Sequence, residues 1–303
     1  MPDLSRTRAH APAFAFLICA LGIAFFSAMD AVMKGLTLAI GVYNVLLWRS
    51  LTGVAISLGL AASQTFPRPS RSNVRIHLLR GGVSVLMALL FFWGLARVPI
   101  AQAVALTFIA PPLSLFLAAI ILKERVGRRA VVGSIIGVGG VAVILSGQAR
   151  AEYGTEALAG TIAVIASAVC YAYNIVLMRQ QASVARPIEI LLFQNTTVTL
   201  YLLCGAPWFA TIPPIDHGMM ILLAAALATL SQLLMGWAYA RAPASYLAPT
   251  EFTAFIWAAL FGWIFFSETL AGMTILGAAL IIGACLLAAG SKPEPFAASE
   301  GAI

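Results

Sequence analysis

The residues that could do chemistry in this chain are the few ionisable side chains set inside long apolar runs: Asp30, Arg49, Arg80 and Glu251. A charge held in hydrocarbon is costly, so such groups are expected to pair, to face a water-filled space or to handle a ligand. Glu251 lies ten residues past Arg241, about 15 Å into a membrane if the segment is helical. It is expected to face a cavity near the midplane, either contacting a substrate amine or taking up a proton. Asp30 and Arg49 stand at comparable depth, one at the end of an apolar run and one at the start of the next. Pairing would lower the burial cost of both; the alternative gives Asp30 to the cavity. Arg80, with His77 just before it, begins a run. Its plain reading is a side chain snorkelling to lipid phosphates, and its sharper one an inward guanidinium that holds a substrate carboxylate.

Neutral groups extend the set. Trp93, Gln102, Thr107, Tyr171, Tyr173, Asn174, Gln232, Trp237 and Trp257 fall well inside apolar runs, where rings can stack on an aromatic or cationic cargo and amides can bond one. Helix packing competes with a ligand role at each of them. Trp48, Trp208 and Trp263 read instead as interfacial belts. An intramembrane enzyme is disfavoured: the only aspartates are Asp3, Asp30 and Asp216, with no HExxH and no evident Ser/His pairing. No metal or cofactor is expected. Cys19, Cys170, Cys204 and Cys285 lack CxxC spacing and read as small buried hydrophobes.

The elements that must position these groups follow from composition. Of 303 residues, 61% are hydrophobic and 10% charged, against roughly 25% charged in soluble domains. The mean hydropathy of +0.97 is spread along the whole chain, which predicts many spans rather than one anchor. Helices are the expected elements, because lipid offers backbone groups no partners. Ten spans are predicted, at about 12–33, 42–62, 76–96, 100–122, 129–147, 157–178, 188–208, 217–239, 245–267 and 270–289. The first is read as a retained span, since no clear A-x-A cleavage site follows Arg6 and Arg8. Thirteen basic residues, among them Arg68, Arg71, Lys123, Arg128, Arg186 and Lys292, then fall on the side of the N-terminus, and only Lys34, Arg97 and Arg150 on the other. This places both termini in the cytoplasm of a bacterial inner membrane. The net charge of +7 is thus a topology signal, and no nucleic-acid partner is expected.

The chain also matches itself at an offset of 144 residues: Trp93 with Trp237, Arg97 with Arg241, Pro99 with Pro243, Phe108 with Phe252, Glu124 with Glu268, Gly133 with Gly277 and Gly139 with Gly283. Asp30 falls on Asn174 and Thr107 on Glu251. One residue further on, Arg49 falls opposite Gln194. The halves, 1–148 and 149–303, therefore read as two five-span units. Because five is odd, the second enters the membrane from the opposite side, and such inverted repeats meet around a midplane site. Thr107 and Glu251 are expected to come together there, with Pro243 and Pro249 inviting a broken helix. Gly133, Gly137, Gly139, Gly140, Gly277 and Gly283 are assigned to close helix packing.

On these features, with AVALTFIAPPLSLFLAAIILKER at 103–125 and APASYLAPTEFTAFIWAALFGWIFFSE at 242–268, the chain resembles the EamA-type members of the drug/metabolite transporter superfamily. The resemblance implies an all-α membrane protein of ten transmembrane helices, with spans 1, 3, 4, 6, 8 and 9 around a central cavity. It further implies a secondary carrier that exports small metabolites, amino acids (aromatic ones included) being the expected cargo. Nucleoside- or sugar-type metabolites, or an oligomeric channel, are the alternatives. The expected partners are a small-molecule substrate and the lipid bilayer, with the protein a monomer or homodimer. Glu124 and Glu268 are expected to cap or bridge loops.

Overall fold

A computed structural model describes residues 4–62, 71–122, 128–150, 154–182, 187–239, 241, 247 and 250–289. Among them every regular element is helical: α1 Leu4–Ile40, α2 Val42–Ala61, α3 Arg71–Leu95, α4 Ile100–Thr107, α5 Ala110–Leu122, α6 Arg128–Arg150, α7 Thr155–Ala182, α8 Pro187–Phe209, α9 Ile215–Tyr239, α10 Thr253–Phe266 and α11 Gly272–Ala289. Among the described residues, five stretches are long and apolar enough to cross a membrane: Phe14–Ile40, Asn73–Leu95, Thr155–Met178, Glu189–Phe209 and Ile215–Ala238. Shorter apolar helices cover Val131–Gly147, Thr253–Phe266 and Gly272–Ala284.

The first run does not stop at residue 33. α1 continues to Ile40, which carries Lys34 into the helix and buries it, rather than leaving it in an outer loop. No proline follows Met33 and Gly35 stays within the helix, so the ladder persists until Gly41, whose φ of 79° and ψ of 151° only glycine adopts without strain. That single residue turns the chain into α2. An added Cβ at Gly41 would meet nothing within 4 Å, so Gly41→Ala tests the backbone alone. It is expected to lower stability by about 1–3 kcal/mol, read as a fall in the thermal unfolding midpoint in detergent.

The run expected at 100–122 is two helices. The ladder breaks at Phe108 and Ile109 between α4 and α5. Pro111 and Pro112 lack the N–H groups that would bond the carbonyls of Thr107 and Phe108 in a continuous helix. A turn at Phe252 likewise precedes α10. Pro243 and Pro249, where a broken helix was expected, lie outside the described residues, as does Glu124.

Helices pack in pairs. α1 lies on α9 and α10, α3 on α7 and α8, α2 on α8 and α9, α4 on α10 and α7, and α6 on α11. In lipid this association rests on van der Waals fit and interhelical hydrogen bonds rather than on the hydrophobic effect. Small residues accordingly stand at the crossings. A Cβ on Gly94 of α3 would lie 2.5 Å from the Gly160 carbonyl oxygen of α7, and one on Gly140 of α6 would lie 2.8 Å from the Gly277 carbonyl oxygen of α11. Gly139 and Gly283, also assigned to packing, face nothing within 4 Å, and Gly137 meets only the Ala284 Cβ, at 3.7 Å.

Candidate functional site

Arg80 does not turn to the lipid surface. Its Nε donates to Asn174 Oδ1 at 3.2 Å and its Nη1 to Gln181 Oε1, both on α7. Asn174 Nδ2 in turn donates to Ser84 Oγ at 2.6 Å. Gln181 Nε2 meets His77 Nδ1, and His77 Nε2 stands 3.8 Å from Glu189 Oε1 of α8. The His77 ring, 1% exposed, stacks on Phe193 at 4.2 Å. The spacing explains the assembly: His77, Arg80 and Ser84 fall on one face of α3, and Asn174 and Gln181, two turns apart, on one face of α7. A guanidinium has five donors in a fixed fork, so the two amide oxygens leave it donors for a further acceptor.

Tyr171, one turn before Asn174 on α7, lies within electrostatic reach of both Arg80 and Glu251. It is also 39% exposed, and charges from α3 and the turn before α10 stand near it. Glu251 is half-buried and lies within reach of Cys19 on α1 as well, and the neighbouring Thr250 hydroxyl donates to Cys19 Sγ at 3.1 Å. Elements from both ends of the sequence thus place a cation and a carboxylate around one partly open phenol.

Most of the other expected residues have partners of their own. The Thr107 hydroxyl bonds back to the Val104 carbonyl at 2.7 Å, while the next residues, Phe108 and Phe252, meet edge to face at 5.4 Å. Gln102 is buried and donates to Thr161 Oγ1 at 3.3 Å, joining α4 to α7. Trp93 and Trp237 stack on the chain's own cations, with Arg97 3.6 Å from one ring centroid and Arg241 4.0 Å from the other. Phe14 also closes on Trp237, at 5.6 Å. Trp257 stacks on Phe261, and Gln232 is exposed on α9.

Asp30 is 3% exposed and lies within electrostatic reach of the half-buried Arg49. Asp30 Oδ1 and Arg49 Nε have no hydrogen-bond partner among the described residues, so charge alone couples them. Reversing one member leaves two like charges facing each other in a low-dielectric interior. Asp30→Arg and Arg49→Asp are each expected to cut the yield of folded protein about tenfold or more, and the double exchange to recover most of it. An unrecovered double variant would separate the two residues functionally.

Sequence reasoning missed Ser84, Gln181 and Glu189. The signal was the spacing of polar residues along α3 and α7, which reads as a buried face only once the two helices are seen to pack.

Comparison with known proteins accounts for this architecture. A family model described as the EamA-like transporter family matches residues 13–146 and again 158–290. A pseudopaline exporter of Pseudomonas aeruginosa is 26% identical over 91% of this chain and 96% of its own length. A riboflavin transporter of Rhizobium johnstonii is 31% identical, covering 76% and 72%. A probable terminal-alkyne amino-acid exporter of Streptantibioticus cattleyicolor is 28% identical, covering 78% and 82%. One solved crystal structure superimposes with a TM-score of 0.59 over 91% of this chain and 97% of its own, at 21% identity, and shows the shared fold. The chain belongs to the EamA-like transporter family of membrane proteins.

Proposed function

We propose that this protein is a secondary carrier that exports amino-acid-like zwitterions across a bacterial inner membrane by alternating access of two inverted five-helix repeats, 1–148 and 149–303. The observation that carries the cargo class is the placement of Arg80 and Glu251, opposite in charge, around the half-open Tyr171. The guanidinium matches a carboxylate, Glu251 matches an ammonium, and the phenol ring offers a face to the side chain between them. The amino-acid exporter among the relatives supports this class.

Three features support the inverted repeat. The helical breaks at Phe108 and Phe252 stand 144 residues apart, and those two rings touch. Arg97 Nη1 donates to the Trp93 carbonyl and Arg241 Nη1 to the Trp237 carbonyl, beneath matching cation–π stacks. Under the same offset the α1–α9 pair becomes α7–α3, while α2–α8 and α6–α11 map onto themselves. The distribution of basic residues supports cytoplasmic termini.

The test is counterflow in proteoliposomes loaded with unlabelled amino acids. A carrier draws labelled amino acid inward against its gradient, while a pore gives only downhill flux. Glu251→Gln is expected to slow uptake about tenfold to a hundredfold, the value of one hydrogen bond to a charge. Counterflow of riboflavin without counterflow of any amino acid would remove the zwitterion reading and leave the carrier.

A further inference from the structure

Lys34 and Glu268 form a knot that transport of the cargo as described does not use. Lys34 Nζ donates to Glu268 Oε1 at 2.5 Å and to the Val98 carbonyl at 2.6 Å. Glu268 Oε2 accepts the Ile100 N–H at 2.8 Å. One carboxylate therefore caps the first turn of α4 while it neutralises a lysine of α1. The end of α10 sets its position. Ser267 adopts a left-handed φ of 53°, its N–H bonds the Trp263 carbonyl, and the Glu268 N–H bonds the Gly262 carbonyl. The Ser267 bond is an αL C-cap, and the reversal swings the Glu268 side chain back over Gly262, where an added Cβ would lie 2.4 Å from Oε2. The pair is largely shielded, with side chains 7% and 15% exposed.

The knot joins three elements at one end of the molecule: α1, the connection from α3 to α4, and the end of α10 from the other half of the chain. Under the 144-residue offset, Glu268 corresponds to Glu124, but Lys34 corresponds to Met178, which cannot pair with a carboxylate. The sequence thus supplies this lysine to one end only.

We propose that the Lys34–Glu268 pair is a latch that holds shut the end of the carrier at which α3 passes into α4, and that it breaks whenever cargo passes that end. The inference rests on the alternating-access reading above. With the pair formed, the resting protein is biased toward closure at the latched end, and the basic-residue distribution makes that end periplasmic. Losing the latch shifts the population toward an opening there, with no change in the groups around Tyr171.

Thiol labelling tests this without knowledge of the cargo. Ser27, 1% exposed, lies seven residues before Lys34 on the same face of α1, about 10 Å deeper. Ser27→Cys, in a background with the four native cysteines replaced by alanine, is exposed to a membrane-impermeant maleimide in right-side-out and inside-out vesicles. With the pair intact, labelling from the right-side-out face is expected to be slow. Glu268→Gln keeps an acceptor for the Ile100 N–H but loses the charge, and is expected to raise that rate about tenfold; Lys34→Met acts in the same direction. Lys34→Arg keeps the charge and is expected to restore slow labelling. Unchanged labelling in Glu268→Gln would overturn the latch, and a fall in the unfolding midpoint without faster labelling would show a static staple instead. Faster labelling without counterflow of any metabolite would leave the latch and remove the carrier reading; normal counterflow with unmoved labelling would do the reverse.

Discussion

Arg80→Leu is expected to reduce amino-acid counterflow about a hundredfold while leaving a folded, monodisperse protein. The guanidinium already bonds Asn174 and Gln181, and in the proposed cycle its remaining donors take the cargo carboxylate. Truncating one partner of a desolvated, hydrogen-bonded charge pair costs about 2–5 kcal/mol of binding, and 2.7 kcal/mol is roughly a hundredfold. Leucine fills comparable space along the stem, and Asn174 keeps its bond to Ser84, so collapse of the α3–α7 contact is not expected. Arg80→Lys separates charge from geometry. A lysine restores the cation but not the planar fork, and is expected to recover only part of the rate, about tenfold below the unmodified protein. The measurement is initial uptake at low labelled substrate, with the thermal unfolding midpoint taken on the same preparations. Normal uptake by Arg80→Leu would reduce the α3–α7 network to packing and withdraw the carboxylate from the proposed cargo.

The second large effect belongs to the crossing of α6 and α11. A Cβ at Gly277 would lie 2.4 Å from Ile144 Cγ1 and 2.6 Å from the Gly140 carbonyl oxygen. The isoleucine can shift, but the backbone oxygen cannot move without displacing its helix. Gly277→Val and Gly140→Val are each expected to destabilise the protein by about 1–3 kcal/mol, the usual cost of overpacking. The larger end is expected here, because fit is the main force between helices in lipid. Gly139 and Gly283 sit on the same two helices with nothing within 4 Å, so Gly139→Val and Gly283→Val are the controls, expected within about 0.5 kcal/mol of the unmodified protein. Equal losses at all four positions would mean that helix propensity, rather than the crossing, sets the cost.

Physical reasons separate what could be read from the chain and what could not. Apolar runs about 20 residues long have one solution in lipid, which is why the helices were legible. Their ends were less so: a span at 12–33 was expected from hydropathy, yet α1 runs to Ile40 because helix termination is set by Gly41 and not by polarity. Lys34 was misplaced for the same reason. The break inside 100–122 was written in Pro111 and Pro112 but is masked in a hydropathy average. Arg80 was ambiguous because a guanidinium on a helix end can reach lipid phosphate or a neighbouring helix, and only the position of Asn174 and Gln181 on α7 decides between them.

The sequence by itself determined the membrane class, the family and the 144-residue correspondence, since each depends on local composition or on order along the chain. The tertiary structure alone decided which polar groups share a space. Arg80, Tyr171 and Glu251 come from three elements whose separation along the chain carries no information about proximity, and Tyr171 comes within electrostatic reach of the two charges once α3 packs on α7. It likewise brought Phe108 and Phe252 together edge to face at the two helical breaks.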